Sequence, residues 1–451
     1  MSKYCFSALA AAGLLAGGLT VSSALAADLG GNCCADLEER IAELEATTAR
    51  KGNRRVSLTI SGWVGEQVMF WDDGFEDNTY IVGLGTTLAT NVKFTGQATI
   101  SPGWSAGYVI HMEAIDSDSF TQSADSAIGP ALYDYLGGGT AANNVQVLQA
   151  FWFIKSEQLG KISVGQQSQA SDNTAILVDG SGSLVPANWV AFDVGGFAVR
   201  RTDGLPSLLT WGTAGSCRAM GGNWGDCNGL PQEAVRYDSP TFAGFSISAS
   251  WGADDFWDVA ARYAGEFAGF KLAVAAAYNE VTDEFYNLPG GPANGLLERL
   301  SVAGLIAPFV PGTHCTPNCD GLIPDNGKEQ YFQIGAYLQH VPTGLWALYN
   351  YGHLEDNFTG LNAAETHYGK IGVRQRWMPL GHTVLYGEYL NTQDGPADGA
   401  ELEIWGGGVV QEFDAAAMSI WLKYRNLQYD DATTTKFEDF NQFSIGGLIN
   451  F

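Results

Sequence analysis

The chain has 451 residues, of which 46% are hydrophobic and 12% aromatic, with 23 basic side chains against 49 acidic ones. A formal net charge of −26 excludes nucleic-acid binding, which needs clustered Lys and Arg to neutralise phosphate. Past residue 26 no apolar run reaches 18 residues, which excludes a membrane-spanning helix.

The first predicted element is a leader. Lys3, the small apolar run Ala8 to Leu19 and the A-x-A site Ala24-Leu25-Ala26 read as a secretory signal peptide over 1–26. Removing it leaves 22 basic against 49 acidic residues, a net of −27. Export implies an oxidising compartment, in which cysteines can pair. Cys217 and Cys227 lie close together in a Gly-rich segment, as do Cys315 and Cys319, so two short loop-stapling disulfides are expected. His314 beside Cys315 and Cys319 lacks a fourth ligand and makes a weak zinc reading.

Residues 27–55 read as a periplasmic N-terminal segment carrying one helix, 35–47. Leu37, Ile41 and Leu44 form a single seam, with Glu38, Glu39, Arg40 and Glu43 outside it. So short a helix is marginal alone in water. It is expected as one arm of a coiled coil in an oligomer, with Cys33 and Cys34 placed to cross-link subunits, or else lying on a barrel rim.

From Val56 onward the pattern has period two. Val92, Phe94, Gly96, Ala98 and Ile100 oppose Asn91, Lys93, Thr95, Gln97 and Thr99, and Met418, Ile420 and Leu422 oppose Ser419, Lys423 and Arg425. Segments of about ten residues with one apolar and one polar face suit transmembrane strands, and also a soluble sandwich. Loop asymmetry separates the two. Tight turns at 101–104, 157–160, 239–244, 267–270, 341–344, 378–381 and 413–416 alternate with long polar connections, among them 72–90, 116–144, 168–233 and 281–329. That alternation belongs to an outer-membrane barrel. Sixteen strands are predicted, at 56–71, 91–100, 105–115, 145–155, 161–167, 234–239, 245–252, 259–267, 271–280, 330–340, 345–353, 366–377, 382–391, 401–412, 417–428 and 437–451. Tyr80–Leu88 is assigned to the first loop. The last strand sets Phe443, Ile445, Gly447, Ile449 and Phe451 on one side and Ser444, Gly446, Leu448 and Asn450 on the other.

The acidic helix joined to the first strand (Cys34 to Gly62), the stretch Phe94 to Tyr108, the stretch Val235 to Phe245 and the terminal Phe451 together resemble alphaproteobacterial porins. The resemblance spans essentially the whole chain after the leader. It implies an all-β fold: a homotrimer of sixteen-stranded antiparallel barrels, 56–451, with the third extracellular loop folded into the lumen. It further implies outer-membrane lipid and lipopolysaccharide as surroundings and barrel-assembly machinery reading Phe451; a rival of a different class is a structural anchor, with the 35–47 helix touching peptidoglycan.

By that pattern the connection at 168–233 is the constriction loop, carrying Asp172, Asp179, Asp193, Arg200, Arg201 and Asp203. Strand parity puts Lys93, Arg262, Lys370, Arg374, Arg376, Lys423 and Arg425 on the inward face, with Glu113, Asp238, Glu401 and Glu403 as inward acids and His111 on the wall. A charge facing lipid at mid-depth costs about 2–4 kcal/mol, so inward placement is expected away from the rims. Opposite charges across a narrow bore would set a transverse field.

Acid clusters at strand tops, Asp72-Asp73 with Glu76-Asp77, Asp254-Asp255 with Asp258, and Asp430-Asp431, offer the oxygen ligands calcium prefers but lack EF-hand spacing. Solvation is the expectation, and no cofactor is assigned. H-E-x-x-H does not occur, and no enzyme is expected. The reading is a passive diffusion channel for small hydrophilic solutes and ions, mildly cation-selective. The rival is a sugar- or nutrient-selective channel, with Trp189, Phe192, Trp211 and Trp224 of the third loop stacking on solute rings.

Overall fold

A computed structural model describes residues 56–85, 87–114, 124, 145–215, 217, 224–229, 231–252, 255–282, 327–357 and 359–451. The leader, the 35–47 helix with Cys33 and Cys34, and the Cys315/Cys319 pair lie outside the described residues.

Sixteen antiparallel strands form the wall. The first eight are β1 (Ser57–Asp72), β2 (Asn91–Ser101), β3 (Trp104–Ala114), β4 (Val145–Ser156), β5 (Gly160–Gln167), β6 (Gln232–Asp238), β7 (Phe245–Gly252) and β8 (Phe256–Phe267). The second eight are β9 (Phe270–Thr282), β10 (Lys328–His340), β11 (Leu345–Asp356), β12 (Ala364–Met378), β13 (Gly381–Gln393), β14 (Glu401–Phe413), β15 (Met418–Asp430) and β16 (Phe440–Asn450). Each pairs with its sequence neighbour, and β16 returns to β1 with Val64 opposite Ile449 and Phe70 opposite Phe443. Phe451 completes the seam, exchanging backbone bonds of 3.1 Å with Gly62 in both directions. The barrel is therefore closed, which leaves no free sheet edge to satisfy in lipid.

All sixteen expected strands are present, with ends shifted by three residues or fewer. Tyr80–Val82, assigned from sequence to loop, belongs instead to a short strand, Asp77–Val82, that folds back on the outer part of β1. Asp73 makes that turn by accepting the amides of Phe75 and Glu76 at 3.0 and 2.7 Å.

Turn chemistry sets one end of the barrel. Between β8 and β9, Phe267 pairs directly with Phe270, and the two residues between them, Ala268 and Gly269, have φ of +49° and +83°. Two left-handed residues make the hairpin turn whose twist matches the flanking strands. The long connections all leave from the opposite end. On the outside of the wall Ile162, Ile247, Ile371, Leu385, Ile420 and Ile445 are exposed, as a lipid-facing band requires.

Candidate pore lumen

After β5 the chain does not stay outside. Described residues between 168 and 229 bond to inward side chains around most of the wall. At the start of the segment, the Ser171 amide and hydroxyl donate to Asp258 of β8 at 2.6 and 2.5 Å, and the Ala170 amide donates to Ser250 of β7 at 2.9 Å. Arg236 of β6 donates to the carbonyls of Ser168 and Gln169 at 2.8 and 3.0 Å. Arg262 of β8 donates to the Ala170 carbonyl at 2.6 Å and the Thr174 hydroxyl at 3.0 Å. Gln333 of β10 accepts the Ala175 amide and donates to the Ser171 carbonyl. Gly335, next on that inward face, lets the backbone come close: a Cβ there would meet the Ala175 carbonyl oxygen at 2.4 Å.

Farther along, Lys370 of β12 spends its donors on the loop: Asp179 at 2.6 Å, the Ala187 carbonyl at 2.7 Å and the Ser183 hydroxyl at 3.0 Å, with both charged side chains wholly buried. Arg425 of β15 forks Glu388 of β13 at 2.8 and 2.9 Å and reaches the Asn188 carbonyl at 2.8 Å. Asp193 then ties the loop to the barrel seam. It accepts from Lys423 of β15, from Gln442 of β16 at 2.8 Å and from Gln67 of β1 at 3.2 Å, with Arg425 4.0 Å away. Burial pushes the Asp193 carboxyl up, but Lys423 and Arg425 outweigh it and hold it at about 2.

Between loop and wall lies an apolar core. Trp189, Trp211, Trp224 and Phe197 of the loop are all but fully buried against Trp71, Leu402, Ile404, Leu427 and Phe440 of the barrel. A disulfide between Cys217 and Cys227, as expected from their spacing, staples this part of the loop (Cα–Cα 4.8 Å).

That core corrects two expectations. The three tryptophans are inside the loop's own packing and offer no surface to a solute; of the four aromatics only Phe192 lines a small cavity, beside Asp193 and Lys423. Glu401 and Glu403 face outward, on the side of Trp405 (47% exposed), with Glu403 accepting from the exposed Tyr389. Their inward neighbours Leu402 and Ile404 are needed by the loop core. At the outer rim the outward face meets headgroups, so the charges are tolerated there.

Arg200, Arg201 and Asp203 are also not at a constriction. A two-stranded ribbon, Ala198–Arg200 with Pro206–Thr210, carries them to the outer mouth, where Arg200 forks Asp73 at 2.8 and 2.6 Å and Arg201 pairs with Asp203 in solvent. Arg374 forks Glu412 just inside the short-turn end, while Arg376 sits exposed at that rim beside Asp414. Asp238 faces Arg236 and Lys161, as parity implies. The acid clusters read for calcium have partners of the protein's own: Asp73 holds Arg200, Asp258 holds Ser171 and Ser250, and Asp430 holds Lys436.

The β2–β4 side of the lumen differs. A cavity there is lined by Lys93, His111, Leu148 and Gln149 of the wall, Thr87 of the first loop, and Ser168, Asp172, Asn173 and Pro231 of the third. Glu113, fully buried nearby, accepts the Thr87 amide at 3.2 Å. Asp172 and Lys93 both line this cavity. Behind it lies Asp226. Burial pushes Asp226 up to about 7, and burial together with Asp226 pushes Asp172 well above the usual carboxylate range. Parity could have found Arg236, Gln333, Glu388 and Gln442 as wall residues; Asp226 and Gln67 gave no signal separable from an ordinary polar position.

A closed sixteen-stranded barrel with an apolar exterior and a charged interior defines an outer-membrane channel protein. The chain belongs to the Gram-negative porin family, whose model matches residues 8–291. No curated protein matches the sequence. Among solved structures, the anion-selective porin from Comamonas acidovorans is similar at a TM-score of 0.52 and 14% identity, covering 88% of this chain and 100% of that one. Salmonella typhi OmpF in complex with daunomycin gives 0.50 and 14%, covering 89% and 100%. OmpT, an outer membrane protein of Vibrio cholerae, gives 0.50 and 10%, covering 89% and 99%. At such identities these likenesses concern the fold.

Proposed function

We propose that the protein is a passive porin, a homotrimer in which each barrel admits small hydrophilic solutes and ions past the 168–231 loop, with a mild cation preference. The observation that supports this reading is the set of charged pairs, Lys370 with Asp179 and Lys423 with Asp193, that tie the loop after β5 to the inward wall, with Asp172 and Lys93 lining a cavity on the β2–β4 side. The sign of the preference follows from the 49 acidic residues. Inside the lumen most charges are matched, Lys370 with Asp179, Lys423 with Asp193, Arg425 with Glu388 and Arg374 with Glu412. The acid excess is then left to the mouths, where it concentrates cations without imposing strict selection.

Reversal potentials of the purified protein in planar bilayers under a salt gradient test this. A modest cation-sided potential is expected, and clear anion selectivity would overturn the proposal. Electrophoresis without heating tests the trimer. Phe451, paired with Gly62 at the seam, is the proposed residue read by barrel-assembly machinery. Its deletion should reduce the yield of assembled barrels more than it alters the conductance of those that form.

A further inference from the structure

One row of the inward wall carries Lys93 of β2, His111 of β3 and Gln149 of β4, each directly opposite the next. The regular wall is broken here. The β3–β4 register slips between His111 and Met112, a bulge at which Leu148 as well as Gln149 lines the cavity on this side of the lumen. Two further residues lining that cavity, Thr87 and Asn173, have left-handed backbones, with φ of +71° and +54°. A β-branched residue seldom adopts that region, and such strain collects at ligand sites.

The side chain that singles out the cavity is His111. It is 5% exposed, and neither Nδ1 nor Nε2 has a hydrogen-bond partner. A neutral imidazole offers one N–H and one lone pair, and burying both without partners costs free energy. Buried polar groups are almost always satisfied, so the occupant of the cavity is the expected partner.

We propose that the cavity is a solute subsite for small zwitterions, the α-amino acids, with Lys93 and His111 taking the carboxylate and Asp172 the ammonium. The inference rests on the channel reading above and names a solute class for it. Charge decides the class. A simple anion drawn to Lys93 would also meet the Asp172 carboxylate, and a simple cation drawn to Asp172 would also meet the Lys93 ammonium. A molecule carrying both charges a short distance apart satisfies the two together. Gln149, which donates to the Ser168 hydroxyl at 3.1 Å, and Asn173 add neutral hydrogen-bonding groups. Burial and Asp226 favour a proton on Asp172, and an ammonium beside it works the other way.

The cavity beside Phe192 is less suited. Its carboxylate, Asp193, is already engaged by Lys423, Gln442 and Gln67.

Single-channel conductance of the purified protein in planar bilayers, with glycine added at fixed salt, tests the assignment. Glycine has no net charge and carries no current, so a saturating fall in conductance reports occupancy. Glycolamide, uncharged and of similar size, should cause none. Acetate and methylammonium, each supplying one of the two charges, should act about ten-fold more weakly or less. H111F and D172N should each raise the half-blocking glycine concentration by about ten-fold or more, and R376Q, at the short-turn rim, should leave it unchanged. Heat-modifiable migration checks that each variant barrel is folded. Absence of any ionic conductance would overturn the channel reading and the subsite with it. An open channel with no saturable response to glycine, equal block by glycolamide, acetate or methylammonium, or block unchanged in either folded variant of His111 or Asp172 would overturn the subsite alone.

Discussion

The two sides of the lumen use charge differently. From β12 round to β1, inward cations are consumed in holding the loop: Lys370, Lys423 and Arg425 are buried and each meets a loop group. On β2–β4, Lys93 and His111 line a cavity together with Asp172 of the loop. The same residue types on the same kind of wall therefore anchor the loop on one side and line a cavity on the other. What separates them is where the loop lies.

The largest expected effect comes from the anchoring side. K370A leaves Asp179 buried without its cation, and breaking such a pair costs about 3–5 kcal/mol. Denaturant unfolding should show that loss, with a rise in single-channel conductance as the loop detaches. Reducing the Cys217–Cys227 disulfide should loosen the loop next, by about 3 kcal/mol for a loop of this size. Proteolysis within 210–231 with and without reductant would report it. G335L, which drives a side chain into the Ala175 carbonyl, should cost about 1–3 kcal/mol and widen the pore without touching any charge.

A pH test sharpens the comparison at the boundary of the two sides. Asp226 is buried near Asp172 and Tyr331, and its carboxyl is raised to about 7. A raised carboxyl binds its proton in the folded chain over a range where the unfolded chain has lost it. Its contribution is therefore present at low pH and fades as pH rises from about 4, the ordinary value, towards 7. Unfolding midpoints measured between pH 4 and pH 8 should fall with pH in the parent protein and fall less in D226N. The smallest effect on stability is expected on the β2–β4 side: K93Q, at a half-buried position, should destabilise less than K370A and should shift the reversal potential towards cations. A K93Q barrel as destabilised as K370A would erase the distinction between the sides.

Much of this was legible in the residues. Alternation and turn chemistry located all sixteen strands, because lipid outside and water inside leave a period-two imprint on each segment. Of the two disulfides expected from spacing, Cys217–Cys227 is present, and Cys315 and Cys319 lie outside the described residues. The outer rim was misread at Glu401 and Glu403 because parity divides a strand into two faces without saying which one is inside. There the lumen is filled by Trp224 and its neighbours, so Leu402 and Ile404 turn inward. The tryptophans of the loop read as solute-stacking groups for the same reason: the chain does not announce that a loop will build its own core.

By itself, then, the sequence determined the closed barrel, its strand order and which side chains share a face, since these rest on local periodicity and neighbour pairing. Only the tertiary structure decided which charges are structural and which are left facing the bore. That division depends on contacts between residues as distant as Asp193 and Gln442. Such pairings come from how one long loop settles against the wall, and no local pattern encodes them.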